Sequence, residues 1–200
     1  MPGRPAESPP PAGRPLRADA RRNRAKVLAA AREAFTAEGL AVPLDEIARR
    51  AGVGAGTVYR HFPTKEALFE AVVTDTLESQ AERGRAALGG DGPGEELFAF
   101  LAGLVAEAAV KMDLADALAG AGVEPGPGTF EAAGRLREVL GALLERAQRA
   151  GAVRGDIGPA DLQALIAGAV AAERRAPAGS RPGRLTGVLC DGLRAGRLPG

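Results

Sequence analysis

The chain has almost none of the side chains on which enzyme active sites and metal centres depend. Its 200 residues include one histidine, His61, and one cysteine, Cys190. One histidine excludes His-based metal clusters and Ser–His–Asp triads, and one cysteine excludes an internal disulfide and a Cys-rich metal site. Cys190 falls on the apolar side of a predicted helix, where we expect a small buried hydrophobic residue. The sequence therefore predicts no catalytic residues, no metal and no cofactor.

No stretch has the composition of a membrane-crossing segment or a secretory leader. The first residues lack a continuous apolar run, and no later run approaches the roughly 18 to 20 apolar residues that span a bilayer. The strand-like alternation of apolar and polar residues is missing too, and the glycine-rich loops match neither a P-loop nor a dinucleotide fingerprint. We therefore expect a cytoplasmic, all-α protein with no membrane partner.

Charge is distributed unevenly, although the formal net charge is only +1. Residues 1–65 contain 12 Lys and Arg against 6 Asp and Glu, a net charge of +6, whereas residues 66–200 contain 14 against 19, a net charge of −5. Such an asymmetry is typical of a nucleic-acid-binding part joined to a part with another task.

Residues 1–17 contain almost no large apolar side chain, so we expect a disordered basic arm. A first helix is predicted over residues 19–38, with Asp19 as its N-cap. The basic lead-in to this helix comprises Arg14, Arg17, Arg21, Arg22 and Arg24. Two interpretations stay open for it: an arm that reaches the minor groove or the phosphates of DNA, and a solvated tail.

Residues 44–65 have the pattern of two short helices joined by a tight turn. The apolar face of the first helix consists of Leu44, Ile47, Ala48 and Ala51. Gly52 is expected to end this helix, because glycine accepts the left-handed conformation of a C-cap. A second helix is predicted from near Gly54 to Phe62, with Val58 on its inner face and Pro63 closing it.

The outward residues of the second helix suit the reading of DNA. Its first turn, residues 54–56, is almost bare, so the backbone can approach the floor of the major groove. Hydrogen-bond donors and a flat ring follow at Thr57, Tyr59, Arg60 and His61. The alternative is a small glycine-rich helix that packs on a neighbour and exposes a solvated polar face.

A pattern of fixed spacing extends this motif on both sides. It comprises Val27, Leu28, Ala31, Phe35, Gly39, Ile47, Ala48, Ala51, Gly52, Val53, Gly56, Thr57, Val58, Tyr59, His61, Phe62, Lys65 and Leu68. In these positions the chain resembles the DNA-binding domain of the TetR/AcrR transcriptional regulators. The resemblance covers about the first third of the chain; the rest is similar only in helical character and length.

The resemblance implies a homodimer that binds a double-stranded DNA operator and, as is commoner in the family, represses transcription until a small-molecule effector releases it. The residues implied to hold the DNA backbone are Thr57, Tyr59, His61 and Lys65. Those implied to lie nearest the bases are Ala55, Gly56 and Arg60. Pro43 and Gly54 depart from the family, which often has Ser or Thr at the first position and Ser at the second, so a capping oxygen is missing at each.

The resemblance also divides the chain. After the disordered arm that composition predicts over 1–17, it implies a DNA-binding domain over 18–64 with the helix-turn-helix at about 43–62, and a helical regulatory and dimerisation domain over 65–200. About nine helices are expected in all. Beyond the first three they are a long one from Thr64 to about Leu88, one after the glycine-rich loop at 89–94, and four more at about 113–121, 129–150, 160–174 and 181–194.

Apolar residues of the middle helices are candidates for lining an effector pocket, although a plain core explains them as well. These candidates are Phe98, Leu101, Leu104, Val105, Met112, Phe130 and Leu136. Because the chain has one tyrosine, no tryptophan and few charges at the positions expected to be buried, we expect a mostly apolar effector.

The last two helices carry apolar residues that either cover the chain's own core or pair with a second copy. The resemblance favours pairing, in a four-helix bundle between two protomers. The candidate dimer residues are Leu162, Leu165, Ile166, Val170, Leu185, Val188, Leu189 and Leu193.

Three functions remain possible from the sequence. The first is the ligand-responsive, dimeric repressor, which binds its operator far better than other DNA. The second is a nonspecific or architectural DNA-binding protein, with similar affinity for any duplex. The third is a helical ligand-binding or enzymatic module that has lost DNA binding. The set Thr57, Tyr59, Arg60, His61 and Lys65 argues against the third.

Overall fold

The computed structural model of the chain describes residues 14–120, 125–177 and 179–196, and their side chains except those of 14–18 and 109–120. The helices are α1 (Arg14–Glu38), α2 (Leu44–Ala51), α3 (Ala55–His61), α4 (Lys65–Ala87), α5 (Pro93–Gly120), α6 (Pro127–Arg149), α7 (Pro159–Arg174) and α8 (Arg184–Leu193), with a 3-10 turn (Gly39–Ala41) after α1. Within the described ranges there is no β-strand, only an isolated antiparallel bridge between Val153 and Arg194. The predicted all-α class is confirmed.

Helices α1 to α3 and the first turns of α4 enclose one hydrophobic core. Its fully buried members include Leu28, Phe35, Ile47, Val58 and Leu68. Phe69 of α4 packs against Phe35 with ring centroids 5.8 Å apart. Each large apolar side chain buried here contributes roughly 1.5 to 3 kcal/mol. The core thereby fixes α3 through Val58 against the rest of the amino-terminal part.

The predicted helix ends around α3 are confirmed. Gly52 caps α2 in the left-handed conformation, with φ 65° and ψ 34°, and its amide donates to carbonyl oxygens of the last turn. A residue with a Cβ would be strained there by about 1 to 2 kcal/mol. Thr64 caps α4, its Oγ1 accepting a hydrogen bond from the Ala67 amide at 3.2 Å. These two caps fix where α3 begins and ends relative to its neighbours.

A second core lies between the second half of α4 and helices α5 to α8. Its fully buried side chains include Leu97, Leu101, Leu143, Leu144, Leu162 and Leu193. Among the described helices, the most extensive contact is that of α4 with α6. These two helices approach closely at Gly84, where an added Cβ would lie 2.4 Å from Cγ1 of Val139. One helix, α4, therefore contributes to both cores.

The predicted break between two helices in the middle of the chain is wrong. Residues 93–120 form the single helix α5, so the described part has eight α-helices where about nine were expected. Residues 106–112 are Ala, Glu, Val, Lys and Met, which favour or tolerate a helix, and no Pro or Gly interrupts them. No residue in this stretch would therefore end the helix before Asp113. Residue 121, the predicted end of the second of these helices, and residues 122–124 of the loop predicted at 122–128 lie outside the described residues.

Two further expectations need correction. Phe130 was expected on the core side of α6, but it is 60% exposed. The buried stripe of that helix runs through Thr129, Ala132 and Leu136, and Phe130 stands about 100° round the helix from Thr129. Helix α1 begins at Arg14, not near Asp19. The predicted arm at 1–17 therefore overlaps α1, and residues 1–13 lie outside the described residues.

As for membrane spans, none of the helices in the described ranges combines the length and the apolar character needed to cross a bilayer.

Candidate nucleic-acid interface

Helix α3 turns one face to the first core and the other to solvent. Val58 is fully buried, whereas Tyr59 is 46% exposed and Arg60 and His61 are exposed as well. Gly56 is exposed, and a Cβ added there would meet no atom within 4 Å. Gly56, Tyr59 and Arg60 share one face at helical spacing. We call Gly56, Tyr59, Arg60 and the adjacent His61 the α3 ridge.

The other predicted DNA contacts are less accessible. Ala55 and Thr57 are half-buried in the first turn of α3. Lys65 is also half-buried, and its Nζ donates a hydrogen bond to the carbonyl oxygen of Leu40 at 2.7 Å. An ammonium has three donors, so Lys65 retains two for a phosphate oxygen. The bond to Leu40 ties the start of α4 to the 3-10 turn after α1.

The outward face of α2 is occupied by a network of ion pairs. Glu46 accepts hydrogen bonds from Nε and Nη2 of Arg49, both at 2.7 Å, and from Nε of Arg50 at 2.7 Å. These bonds from Arg49 and Arg50 lower the pKa of Glu46 to about 2. Arg50 also pairs with Glu38 of α1 at 2.6 Å. The arginines of α2 are thus neutralised within the protein, which leaves less charge on α2 for DNA.

The two departures from the TetR pattern have visible structural effects. Pro43 and Gly54 are the N-caps of α2 and α3, and neither helix has a side-chain capping bond. Backbone bonds close both turns instead: the Glu46 amide donates to the Pro43 carbonyl at 3.2 Å, and the Thr57 amide to the Gly54 carbonyl at 2.9 Å. Both helices therefore form without the usual hydroxyl.

One basic side chain of α1, that of Arg24, lies at the end of α3, which the sequence analysis did not predict. The Arg24 guanidinium stacks over the ring of Phe62, the C-cap of α3, at 5.8 Å from the ring centroid. Arg21, Arg24 and Lys26 are exposed, and Arg22 pairs with Asp19. The helical spacing of Arg24 from Leu28 and Ala31 is the signal that could have located it.

The middle of α4 joins the two cores through polar contacts. Asp75 pairs with Arg32 of α1, while Thr74 shares a hydrogen bond of 2.9 Å with Thr129 of α6. The Gly126 amide, at the start of α6, donates to Glu70 at 3.0 Å. We call the set Arg32, Glu70, Thr74, Asp75, Gly126 and Thr129 the polar joint. It links the helix that precedes the DNA-binding motif to the helix that dominates the second core.

Most of the predicted pocket residues belong to hydrophobic cores. The buried ones are Phe98, Leu101, Leu104, Val105 and Leu136. Phe130 is exposed, and the side chain of Met112 lies outside the described residues. The described residues also line a cleft of about 360 Å³ that the prediction does not include. Its walls are formed by Ala106, Glu173, Ala176, Pro177, Ser180, Arg181, Pro182, Gly183 and Thr186.

The candidate dimer residues divide into buried and outward ones. Leu162, Val170 and Leu193 are at most 3% exposed and belong to the chain's own cores. Ile166, Leu185 and Leu189 are half-buried. Leu165 and Val188, at 37% and 63% exposure, point outward from α7 and α8. Only the half-buried and the exposed residues of this set are accessible to a second copy.

The described part of the chain offers few side chains for metal binding or thiol chemistry. No group of three or more His, Cys, Asp and Glu side chains there is placed to hold a metal ion. Cys190 is buried as predicted, and that burial raises the pKa of its thiol, so the reactive thiolate is disfavoured.

Comparison with known proteins relates both parts of the chain to one family. The family described as "Bacterial regulatory proteins, tetR family" matches residues 27–72, and "Transcriptional regulator SbtR-like, C-terminal domain" matches residues 92–195. An uncharacterized HTH-type transcriptional regulator, TtgW of Pseudomonas putida, is 44% identical over 57 residues, which span 28% of this chain and 42% of that relative.

Solved structures extend the similarity to nearly the whole chain. A TetR transcription regulatory protein from Mycobacterium vanbaalenii is 48% identical with a TM-score of 0.75, over 90% of this chain and 100% of that one. A TetR transcriptional regulator from Streptomyces coelicolor is 36% identical with a TM-score of 0.74, over 86% and 99%. The chain therefore belongs to the TetR family of transcriptional regulators, which are non-enzymatic DNA-binding proteins with an amino-terminal helix-turn-helix.

Proposed function

We propose that this regulator is a homodimeric, sequence-specific repressor that a small, mostly apolar effector releases from its operator. The observation that carries the proposal is the α3 ridge, which a buried Val58 holds open to solvent. Phosphates would be held by Thr57, Tyr59, His61 and Lys65. The bases would lie nearest Ala55, Gly56 and Arg60, where the bare Gly56 lets the helix enter the major groove.

The course of α4 supports release by an effector. Its 23 residues extend over about 34 Å and contribute to both cores. A shift of α6 within the second core would pass through the polar joint to α1 and α4, and so to the position of α3. Changing the spacing between two recognition helices by even part of a helical turn would disfavour binding to both half-sites.

The apolar nature of the effector rests on the residues around the second core. The cleft between α5, α7 and α8 has two Ala and two Pro residues among its nine lining residues, and its carboxylate, Glu173, is already engaged by Thr186 and Gly183. A ligand there would meet mainly apolar surface.

The division of the chain at residue 64 stays a prediction, and the first core extends along α4 as far as Val72.

The dimer interface is proposed on the outward faces of α7 and α8. Leu165 and Val188 are large apolar residues exposed on adjacent helices, with Ile166, Leu185 and Leu189 half-buried beside them. The double variant Leu165→Glu, Val188→Glu would place charges in this interface and should sediment as a monomer. Phe130→Glu, a similar change at an exposed site on α6, is the matched control and should remain dimeric. Equal sedimentation of both variants would exclude this interface.

Operator binding is tested by selecting duplexes from a random pool and titrating the selected and a scrambled duplex by anisotropy. We expect the selected duplex to bind at least about a thousandfold more tightly. Arg60→Ala should cost about 1 to 3 kcal/mol on the selected duplex, and much less on the scrambled one. Arg137→Ala, an exposed change on α6, is the control. Similar affinity for every duplex would instead support the architectural alternative, which the exposed cations of α1 favour.

A further inference from the structure

The amino-terminal half of α1 extends beyond the part of the protein that it helps to build. The helix begins at Arg14, whereas Val27 is the first member of the first core. The intervening 13 residues correspond to about 20 Å of helix. From Asp19 to Lys26 every side chain is exposed except the half-buried Asn23. The first core therefore does not hold this segment, which is helical as a continuation of the rest of α1.

This segment carries unneutralised positive charge. Arg22 is paired with Asp19, which leaves Arg21, Arg24 and Lys26 without an ion pair to any described residue. In α2, by contrast, Arg49 and Arg50 are engaged by Glu38 and Glu46. Among the described side chains of the amino-terminal part, the cations without an ion pair therefore lie on α1, at the α3 ridge and at Lys65.

Arg24 shows where these charges lie. Arg24, Leu28, Ala31 and Phe35 follow one stripe of α1, and the last three are buried in the first core. Arg24 continues the stripe one turn beyond the core, and its guanidinium rests on Phe62, which ends α3. Stacking on the ring limits the guanidinium's freedom and leaves the N–H donors at its edge available. His61 of the α3 ridge, whose side chain is exposed, comes directly before Phe62 in the chain.

We propose that the exposed segment of α1 is a second DNA-contact surface, in which Arg24 and Arg21, one turn before it on the same side of the helix, bind backbone phosphates next to those held by the end of α3. The inference rests on the proposed function, since it needs α3 seated on a duplex. Arg24 is the anchor because Phe62 orients it beforehand. The surface adds affinity and fixes the approach of α3, but it carries no sequence information of its own.

The test measures how binding depends on salt. The variants are Arg24→Gln, Arg24→Lys and the double variant Arg21→Gln, Arg24→Gln. Arg137→Gln is the control, because it removes from α6 an exposed cation that has no ion pair to a described residue. Each is titrated against the selected duplex and a mixed-sequence duplex of the same length at several salt concentrations. Circular dichroism verifies the fold of each variant.

Each phosphate contact contributes about 0.9 to the slope of log K against log salt. We expect Arg24→Gln to reduce the slope by about 0.9 per bound subunit and the double variant by about 1.8. Both duplexes should lose affinity by a similar factor, so the preference for the selected one should persist. Arg24→Lys should retain the slope, because a lysine there still carries the charge.

Two results would overturn the proposal. If the double variant keeps the slope of Arg137→Gln, the segment does not contact phosphates, and the repressor function stands without it. If the preference falls while the slope stays constant, α1 acts only by positioning α3. A wild-type protein that binds no duplex at low salt would instead refute both this proposal and the proposed function.

Discussion

Gly84 lies where α4 crosses α6, and the absence of a side chain there sets how closely the helices approach. In Gly84→Ala the new Cβ would fall 2.4 Å from Val139 Cγ1 and 3.1 Å from Cζ of Phe100. We expect overpacking to cost about 1 to 3 kcal/mol, which exceeds the gain of up to about 1 kcal/mol from the better helix former. Urea unfolding at one fixed protein concentration measures the difference.

Gly103→Ala is the matched control for this prediction. Gly103 is an exposed glycine inside α5, and an added Cβ would meet no atom within 4 Å. This variant should gain about 0.4 to 1 kcal/mol, because the unfolded chain loses freedom without strain in the native state. Equal effects of the two alanines would contradict the close approach of α4 and α6.

Glu46 should make the stability of the protein depend on acid. The hydrogen bonds from Arg49 and Arg50 lower its pKa from an ordinary 4.5 to about 2. Since the folded state holds this proton more weakly than the unfolded state, the charge stabilises the fold above about pH 4.5, and the contribution is lost as the pH falls towards 2. Glu46→Gln should flatten this part of the stability profile, measured by unfolding between pH 2 and pH 7.

A direct measurement complements the unfolding profile. The carboxyl carbon of Glu46, observed by NMR during an acid titration, should shift with a midpoint near the lowered pKa of about 2, far below the ordinary 4.5. A midpoint near 4.5 would mean that the arginine pairs of α2 do not persist in solution.

At the scale of single helices, α8 depends on a carboxylate from α7. Glu173 accepts hydrogen bonds from the Thr186 amide and hydroxyl, both at 2.9 Å, and from the Gly183 amide at 3.2 Å. The Thr186 amide contributes most to lowering the pKa of Glu173. Glu173→Gln should cost about 1 kcal/mol, as the loss of an N-cap does. Faster hydrogen exchange at Thr186, with α6 amides unchanged, would register the loosened start of α8.

Helix ends that are marked by a capping residue were predictable from the sequence, and helix ends without such a residue were not. Gly52 and Thr64 placed the ends of α2 and α4 correctly because their backbone conformation and hydroxyl act locally. The length of α5 was missed since nothing local ends it, and Phe130 was assigned to the wrong face of α6 because apolar character alone does not fix the register of a helix. The phosphate contact of Lys65 stays a prediction. Its bond to Leu40 was not predictable, because it depends on a fold that brings together residues 25 positions apart.

The residues of the site were predictable to the extent that one helix carries them. The α3 ridge follows from spacing within a seven-residue helix. The place of Arg24 over Phe62 and the neutralised arginines of α2 depend on how α1, α2 and α3 pack. The sequence could not separate the outward residues of the proposed dimer surface from core residues, because α7 and α8 each carry apolar residues of both kinds.

On the scale of the whole molecule, the polar joint determines how strongly the two cores are coupled. Thr129 is 8% exposed and has its hydroxyl bonded to Thr74. Thr74→Val should cost about 1 kcal/mol because it leaves a buried hydroxyl without this partner. The double variant Thr74→Val, Thr129→Val should recover most of the loss, since both polar groups are then gone. Strict additivity in this double-mutant cycle, followed by thermal unfolding, would show that the threonines do not interact.

Because α4 belongs to both cores, the position at which a protein engineer could recombine this regulator with another is not residue 64. A cut there would leave Leu68, Phe69 and Val72 on the wrong side, and the transplanted DNA-reading part would lose three apolar members of its core. The more promising crossover lies in the polar stretch of α4 after Val73, where fewer apolar contacts are severed. The two parts of this molecule would thus be exchangeable at a position within a helix, and not at a flexible linker between domains.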